Sequence, residues 1–414
     1  MKLFVRPLVA SLAFGLGFAA HAATTITVAS FPSFDESVKL AIPLYKKLHP
    51  DVEIKLVSLA FNDHHNAMTT ALATGSNVPD VMGIEIGYMG KFAESGGLED
   101  LNQAPYNAQQ FKPKFLRFAF PQGAGAVAGQ VAIPADVGPG TLFYRKDILD
   151  KAGVTEAQLT KSWDDFIKTS KIIKEKTGAY MLANAGDIFS IYIRSNLKDG
   201  EGVFFDKNGQ SMLNTPRFKR ALELARDARK AGIDGKIGTW SSEWSEAFKR
   251  NQLASQMMGA WLAGHFETWL APNTKGLWRA SQLPEGAFSS WGGSFYAIPK
   301  KAEHKKEAWE FVKFMTMNKE MQLLAYKKMG AYPASAEVQN DPFMNEPVEF
   351  LGGQKARLLW KTAAGKIPAI DVDKYDNVAL EIVGAALDDV LEDDKDVDKA
   401  IAEADAKLKR RVRR

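Results

Sequence analysis

The stretch that decides the fold is TITVASFPSFDESVKLAIPLYKKLHPDVEIKLV, residues 25–57. Its first five residues are β-branched or small and apolar, and 38–48 repeats its apolar side chains at helical spacing. A His-Pro pair ends this helix, and 52–57 then alternates between apolar and polar side chains like a second strand. The stretch therefore predicts a strand, a helix and a strand, which is the beginning of a βαβ unit.

The same alternation continues along the chain. A helix over 64–74 ends at Gly75, and 79–84 is a buried strand. Short extended pieces at 131–134 and 141–144 flank a Gly/Pro loop. Further elements are predicted as a strand at 254–258 and helices at 163–176, 189–199, 216–232, 243–251, 309–317 and most of 377–410. This pattern indicates an α/β fold with a parallel sheet, and the chain length and 46% hydrophobic content indicate two domains.

The N-terminus has the three parts of a secretory leader. Positive charge comes first, an apolar run over 8–20 follows, and Ala-His-Ala at 20–22 is a small-residue cleavage pattern. The run is too short to span the ~30 Å hydrocarbon core of a membrane. We therefore expect a signal peptide over 1–22, cleaved before Ala23, rather than a membrane anchor.

The composition limits which cell compartment and which partners we expect for the protein. The chain contains no cysteine, which excludes disulfides and attachment as a bacterial lipoprotein, so we expect a free protein in a Gram-negative periplasm. Removing the two positive charges of the leader lowers the formal net charge from +4 to +2, which implies no polyanionic partner. The basic tail 407–414 has no aromatic residue for stacking on bases, so we expect no contact with nucleic acid.

Two local patterns suggest a metal or a cofactor but lack the required geometry. Adjacent His64 and His65 point about 100° apart on a helix, and no third ligand stands at metal spacing, so no metal is predicted. The glycines of 123–129 lack the GxGxxG spacing and precede a strand, so no dinucleotide cofactor is predicted.

Several motifs, taken in order, resemble one family. They are ALATGSNVPDVM at 71–82, GGL at 96–98, IPADVGPGTLFYRKDIL at 133–149, SWDDF at 162–166, MGAW at 258–261, GGSFYAIP at 292–299 and EAWEFVKF at 307–314. Together they are similar to the extracellular solute-binding proteins of carbohydrate ABC importers, of the maltose-binding-protein type. The resemblance spans nearly the whole mature chain.

The resemblance implies a type II periplasmic binding protein fold, in which two α/β lobes are joined by crossing segments and hold a sugar between them. Residues 23–138 plus 295–331 would form the N-terminal lobe, and 139–294 plus 332–414 the C-terminal lobe. The implied partners are the sugar and the permease subunits of an ABC importer in the inner membrane. We expect a monomer without a cofactor.

A sugar presents hydroxyl groups on its rim and a weakly apolar face, so its site needs aromatic platforms and polar acceptors. Trp261 stands at the end of a predicted strand, where an α/β fold opens its ligand crevice. Trp291 precedes Gly292 and Gly293, which permit close backbone approach. Trp240 lies in a loop, where it serves either as a site residue or as a lid. Of the other tryptophans, Trp163, Trp309 and Trp360 are predicted to pack in helices, and Trp244, Trp269 and Trp278 carry no assignment.

Position within the family pattern implies two ligand-binding carboxylates. Glu85, just past its strand, holds the place of a sugar-binding acid that is Asp in most relatives. Asp136 resembles the second acid, although Gly138-Pro139-Gly140 lengthens the usual spacing that follows it.

Five further candidates are singled out by their position in the chain. Asp187 and Phe189 occupy the place of a polar–aromatic pair in the second lobe, and Lys366 stands where some relatives use arginine. Phe34 and Asp35 follow the first strand, which is another crevice position.

The leading hypothesis is a periplasmic protein, not an enzyme, that captures a neutral mono- or oligosaccharide by hinge closure near 136–140, 291–294 and 330–333. One alternative is an exported carbohydrate-active enzyme, in which Glu85 and Asp136 would form the pair of carboxylates that a glycosidase requires. The other is a binding protein for a polyol or another small solute.

Overall fold

The computed structural model describes residues 23–125 and 129–412 of the chain. The predicted leader over 1–22, part of the glycine-rich stretch and the last two residues of the basic tail lie outside these ranges. Within them, no helix is both long enough and apolar enough to cross a membrane.

The strands and their pairing confirm the α/β class and correct the predicted sheet. They are β1 (Thr24–Ser30), β2 (Val52–Ser58), β3 (Val81–Glu85), β4 (Ala124–Gly125), β5 (Gly129–Gln130), β6 (Ala132–Arg145), β7 (Ser255–Gly259), β8 (Trp278–Ser281) and β9 (Ser290–Ala297). In the described residues the main sheet has the order β2-β1-β3-β9-β6-β7, with β8 also paired to β6. β1 is parallel to β2 and β3, as predicted, but β9 is antiparallel to both β3 and β6. The sheet is therefore mixed rather than parallel.

The helices alternate with the strands in the first part of the chain and predominate in its second half. They are α1 (Phe34–Leu48), α2 (Phe61–Thr74), α3 (Ile86–Ala93), α4 (Lys146–Ala152), α5 (Glu156–Thr160), α6 (Trp163–Thr177), α7 (Gly186–Ile193), α8 (Pro216–Lys230), α9 (Ser242–Lys249), α10 (Leu262–His265), α11 (Lys305–Met317), α12 (Lys319–Met329), α13 (Ala356–Lys366), α14 (Asp376–Glu392) and α15 (Val397–Arg411). A π-helical turn, Phe266–Leu270, continues directly from α10.

Two predicted helices differ from the observed ones. The helix expected over 189–199 is α7, which starts earlier and stops at Ile193, where the Ser195 hydroxyl donates to the Ile191 carbonyl and Asn196 turns to a left-handed φ of 55°. The helix expected over most of 377–410 is α14 followed by α15, because the carboxylate of Asp396 accepts from the Lys399 amide and starts a new helix.

The predicted Gly/Pro loop at 135–140 is wrong, because these residues belong to β6. The first part of β6 pairs with β9, and the second part pairs with β7 and β8. Register shifts between Pro134 and Asp136 and between Val137 and Pro139 accommodate the residues that locally favour a turn. β6 is therefore one continuous strand that links the two halves of the sheet.

Buried side chains form separate clusters in different parts of the chain. One cluster lies around β1, β3 and β9 and contains Met82, Phe92 and Phe295. Another is built from residues between Leu142 and Ala287, joined by α14 and α15. The third and largest cluster draws on both regions, so the crossing strands pass through a packed junction.

Candidate functional site

Three crossing segments meet at Asp136. Its neighbour on one side is Ser294 of β9, and on the other side Asp136 bridges to Pro333. The Val137 amide donates to the Tyr332 carbonyl at 2.9 Å, which ties β6 to the third segment. The three regions expected to act as hinges therefore lie side by side.

Glu85 and Asp136 stand in one row across three strands. Ser294 is the register partner of Glu85 in β3 and also of Asp136 in β6, through antiparallel pairing on both sides. Directly opposed residues of an antiparallel pair project from the same face, roughly 4.5–5.5 Å apart at Cβ. Both carboxylates therefore flank the Ser294 hydroxyl on one face of the sheet. The structure thus brings together the two acids that the family pattern singles out.

The two carboxylates share an unusual electrostatic environment. Burial raises the pKa of Glu85 to about 7, although the Gly87 amide, which donates to its Oε2 at 2.7 Å, lowers that pKa. Burial also raises the pKa of Asp136 to about 7, against hydrogen bonding from Ser294, and the charge of Glu85 raises it further. Near neutral pH each carboxyl group therefore exchanges between an acceptor and a donor of hydrogen bonds.

The adjacent His64 and His65 side chains contact the backbone of β3 at Gly83 and Glu85. Both rings are buried, and Nε2 of His65 accepts the Glu85 amide at 3.2 Å while its Nδ1 faces the Phe61 carbonyl at 2.7 Å. Burial lowers the pKa of His65 to about 4, so this acceptor stays neutral. Nε2 of His64 lies 2.8 Å from the Gly83 carbonyl. In the described residues, no group of three or more His, Cys, Asp or Glu side chains is placed to hold a metal ion.

Backbone groups of β6 and β9 fix the position of the Trp261 indole. Its indole N–H donates to the Trp291 carbonyl at 2.9 Å. A Cβ at Gly138 would fall 1.6 Å from that carbonyl oxygen, and Gly292 has a φ of 77° that favours glycine. The glycines around Trp261 are therefore required for its position, and they place it beside the strand pair that carries Asp136.

Arg194 is a cleft residue that the sequence analysis missed. Its guanidinium lies over the Trp291 ring at 4.9 Å, and Nη1 donates to the Ser190 carbonyl at 2.8 Å. Burial lowers its pKa, while the charges of Glu85 and Asp376 raise it. Nothing in the sequence distinguishes Arg194 from the other arginines, because its role arises only when the fold brings the end of α7 near Glu85.

Asp376 is the second missed residue. Arg194, Asp376 and Gly292, together with Gly87 of α3, line one cavity that encloses about 580 Å³ of empty space, part of it open to solvent. Oδ2 of Asp376 accepts the Asp373 amide at 2.8 Å, whereas Oδ1 is buried and has no hydrogen-bond partner among the described residues. A buried acceptor of this kind is costly unless a ligand group completes it. The cavity is therefore lined by a cation and by a carboxyl group with one unpaired oxygen, and the charges of the two groups interact.

Phe34 and Asp35 lie next to the carboxylate row. Phe34 is buried and stacks on Tyr296 with ring centroids 4.6 Å apart. Asp35 is also buried, and its Oδ2 lies 3.2 Å from Nζ of Lys39, while Oδ1 has no hydrogen-bond partner among the described residues.

The candidate residues predicted for the second lobe have different surroundings. Asp187 is buried, and its carboxylate accepts the Thr239 hydroxyl at 2.9 Å and the Asn184 amide at 3.2 Å, so it fixes the loop that carries Trp240. Burial raises its pKa to about 6. Phe189 is 2% exposed and packs in the hydrophobic core, away from the cavity. Lys366 is exposed at the end of α13 and is not a lining residue of the cavity.

Trp240 and Trp291 border Trp261 on two sides. The Trp240 ring stacks on that of Trp261 at a centroid distance of 5.9 Å and an angle of 19°, and Trp240 is 52% exposed. Trp291 is half-buried between Arg194 and the Trp261 indole. The aromatic residues and the carboxylates therefore occupy adjoining parts of one region.

Comparison with known proteins identifies a matching family and several relatives. The profile of the family described as bacterial extracellular solute-binding protein matches residues 28–322, which confirms the resemblance seen in the sequence. An arabinooligosaccharide-binding protein of Halalkalibacterium halodurans is 26% identical over 85% of this chain and 81% of its own length. A lactose-binding protein of Rhizobium radiobacter is 27% identical over 84% of this chain and 83% of its own length.

A solved structure supports the fold. The binding protein of a B. animalis subsp. lactis ABC transporter, in complex with β-1,6-galactobiose, superposes with a TM-score of 0.77 at 21% identity. The match covers 93% of this chain and 97% of the other. The predicted two-lobe periplasmic binding protein fold is thereby confirmed.

Proposed function

The chain belongs to the bacterial extracellular solute-binding proteins, and we propose that it captures a neutral mono- or oligosaccharide between its lobes and delivers it to an ABC importer. Relatives named for arabinooligosaccharide and lactose binding support a sugar rather than another solute. A polyol is the nearest alternative, because it offers hydroxyl groups without the apolar ring face.

One observation carries the proposal: the Glu85–Ser294–Asp136 row and the Trp261 platform adjoin on the same crossing strands. The row supplies three oxygens for the hydroxyl rim of a sugar, and the indole supplies a flat apolar surface for its C–H face. Arg194 and Asp376 line the cavity that borders Gly87 and Gly292, and the charge of Arg194 interacts with that of Glu85, so they add a donor and an acceptor near the row. We infer that these residues, with Trp291, Gly292 and Gly293, bind the ligand.

Capture requires that the ligand bind both lobes. We assign residues 23–138 plus 295–331 to the N-terminal lobe and 139–294 plus 332–414 to the C-terminal lobe. Two of the hydrophobic clusters each fall within one of these ranges, which supports the division. A ligand held by Glu85 on one side and Arg194 on the other binds the closed form better and shifts the population toward it.

Transport implies a location and a partner. We propose that the leader over 1–22 directs export to the periplasm and is cleaved before Ala23. The closed monomer would then dock on permease subunits of the importer in the inner membrane. The permease would distinguish the loaded protein from the empty one by its closed form, because only the closed form presents both lobes in a fixed relation.

A thermal-shift screen of pentoses, hexoses, polyols and short oligosaccharides, followed by titration calorimetry of each hit, tests the proposal. Replacing Trp261 with Ala should cost ~2 kcal/mol or more of binding free energy if this platform is a binding hot spot. Trp261→Phe, which keeps a ring but loses the N–H to the Trp291 carbonyl, should retain part of the affinity. Thermal unfolding of each variant without sugar separates lost contacts from lost folding.

The same samples test the rival enzyme hypothesis. Mass spectrometry of the sugar after incubation should show stoichiometric retention without product. A product that disappears when Glu85 or Asp136 is replaced by its amide would instead identify a carbohydrate-active enzyme. A screen in which no sugar or polyol binds would refute the proposed ligand class.

A further inference from the structure

A row of aromatic rings continues outward from Trp261 to the protein surface. The His265 ring contacts that of Trp261 with centroids 5.4 Å apart, and the Trp269 ring contacts His265 at 5.6 Å. Trp240 lies beside this row, with centroid distances of 5.9 Å to both Trp261 and His265. We call Trp240, His265 and Trp269 the outer shelf.

The outer shelf keeps large apolar rings exposed at a structural cost. Trp240 is 52% exposed and has a left-handed φ of 73°, which is unfavourable for a bulky side chain. Trp269 is 43% exposed and lies on the π-helical turn Phe266–Leu270, a type of distortion found frequently at functional sites. Two independent backbone irregularities therefore present the two rings to solvent.

The shelf rests on a rigid base. Trp244 is fully buried, and its ring contacts Trp240 at 5.0 Å and Trp269 at 6.4 Å. Its indole N–H donates to Oε1 of Gln256 at 3.1 Å. Because both exposed rings pack on one immobilised indole, they lose little freedom when a ligand stacks on them.

The polar groups of the shelf suit a neutral ligand. The Trp269 indole N–H donates to Nδ1 of His265 at 3.0 Å, so the neutral imidazole carries its proton on Nε2. No hydrogen bond to Nε2 is found within residues 23–125 and 129–412. Burial lowers the pKa of His265 to about 4, so the ring is uncharged at neutral pH. The shelf therefore offers indole surfaces and one N–H donor without a formal charge of its own.

We propose that the outer shelf is an additional subsite that binds the sugar units of a neutral oligosaccharide that extend beyond the cleft. This inference rests on the proposed function, because the chain of rings starts at the Trp261 platform and leads away from the carboxylate row. It narrows the ligand from a mono- or oligosaccharide to an oligosaccharide that is longer than the cleft alone holds.

Calorimetric titration with arabino-oligosaccharides and malto-oligosaccharides of one to six units tests the subsite. In the series that binds, the affinity of the unaltered protein should rise with chain length by about tenfold beyond the shortest ligand. In Trp269→Ala this rise should disappear, while the affinity for the shortest ligand stays within about twofold. Trp269→Phe should keep most of the rise. Ile172→Ala, a change at a 40% exposed residue of α6, serves as the matched control. It should change neither the affinity for the shortest ligand nor the rise in affinity with chain length.

Four outcomes would overturn the inference. Affinity that does not depend on chain length removes the need for a subsite, and an equal loss for all lengths in Trp269→Ala assigns Trp269 to the cleft itself. Unchanged affinities combined with lost uptake by permease-containing proteoliposomes would make the shelf a permease contact. If no sugar of either series or of the thermal-shift screen binds, the proposed function fails together with the subsite, whereas length-independent binding refutes the subsite alone.

Discussion

Replacing Asp376 with Asn should make the protein more stable at neutral and alkaline pH in the conformation in which α3 contacts α14. Burial raises the pKa of this carboxyl group from an ordinary 3.8 to about 7, partly offset by the hydrogen bond from the Asp373 amide. Each unit of that difference corresponds to about 1.36 kcal/mol. The ionised carboxylate therefore destabilises the folded protein by about 4 kcal/mol above pH 7.

The sign of the pH dependence follows from proton binding. Between pH 4 and pH 7 the folded protein holds a proton that the unfolded chain has lost, so this carboxyl group lowers stability as the pH rises through that window. Below pH 4 the group is protonated in both states and the effect vanishes. The advantage of Asp376→Asn should thus be near zero at pH 4 and grow to at most about 4 kcal/mol at pH 8.

Urea denaturation at a series of pH values measures the difference. Glu381→Gln, at an exposed residue of the same helix, is the matched control and should follow the unaltered protein at every pH. An Asp376→Asn protein that is less stable at pH 8, or a difference that does not change with pH, would refute the reasoning. Such a result would mean that the carboxylate is already paired in the protein and does not await a ligand group.

Two further changes probe the junction and the contact between lobes. Gly138→Ala places a Cβ 1.6 Å from the Trp291 carbonyl oxygen, so the free energy of unfolding in urea should fall by about 1–3 kcal/mol or more, and an unchanged midpoint would contradict the close approach. Arg117→Ala removes an exposed ion pair with Asp199, 3.1 Å long, which joins the two proposed lobes, so sugar affinity should fall by less than about fivefold and the loss should shrink at high salt. A larger loss that salt does not reduce would mean that this pair contributes more than surface electrostatics.

The local sequence predicted the first part of the fold well. The β-branched run, the helical spacing and the second alternation correspond to β1, α1 and β2, because each of these elements satisfies its pattern with its own residues. β6 was missed because Gly138, Pro139 and Gly140 favour a turn, and only pairing with distant β9 and β7 holds them extended. The mixture of parallel and antiparallel strands was missed for the same reason, since the direction of a strand depends on where the chain crosses between the two halves of the sheet.

The sequence likewise indicated some residues of the candidate site and gave no sign of others. Glu85 and Trp261 stand at strand ends, where position in the chain already indicates a crevice, whereas Asp136 lies inside β6 and was indicated by the family pattern alone. The position of Arg194 near Asp376 depends on contacts between residues distant in the chain, and the outer shelf depends on the packing of the Trp240 loop against Trp261 and His265. The sequence carries no signal for either contact. Phe189 shows the converse: its position in the family pattern suggested a ligand contact, yet the packing of α7 against α8 buries its ring.

Small-angle X-ray scattering, on the protein alone and saturated with the sugar that binds most tightly in the screen, tests the central claim of capture by closure. α3 contacts α14, and Gly90 faces the backbone of Asp373 just before that helix, so the two proposed lobes touch in this conformation. The sugar-saturated protein should scatter as this conformation does, with a smaller radius of gyration than the sugar-free protein. Identical scattering curves at full saturation would contradict capture by hinge closure.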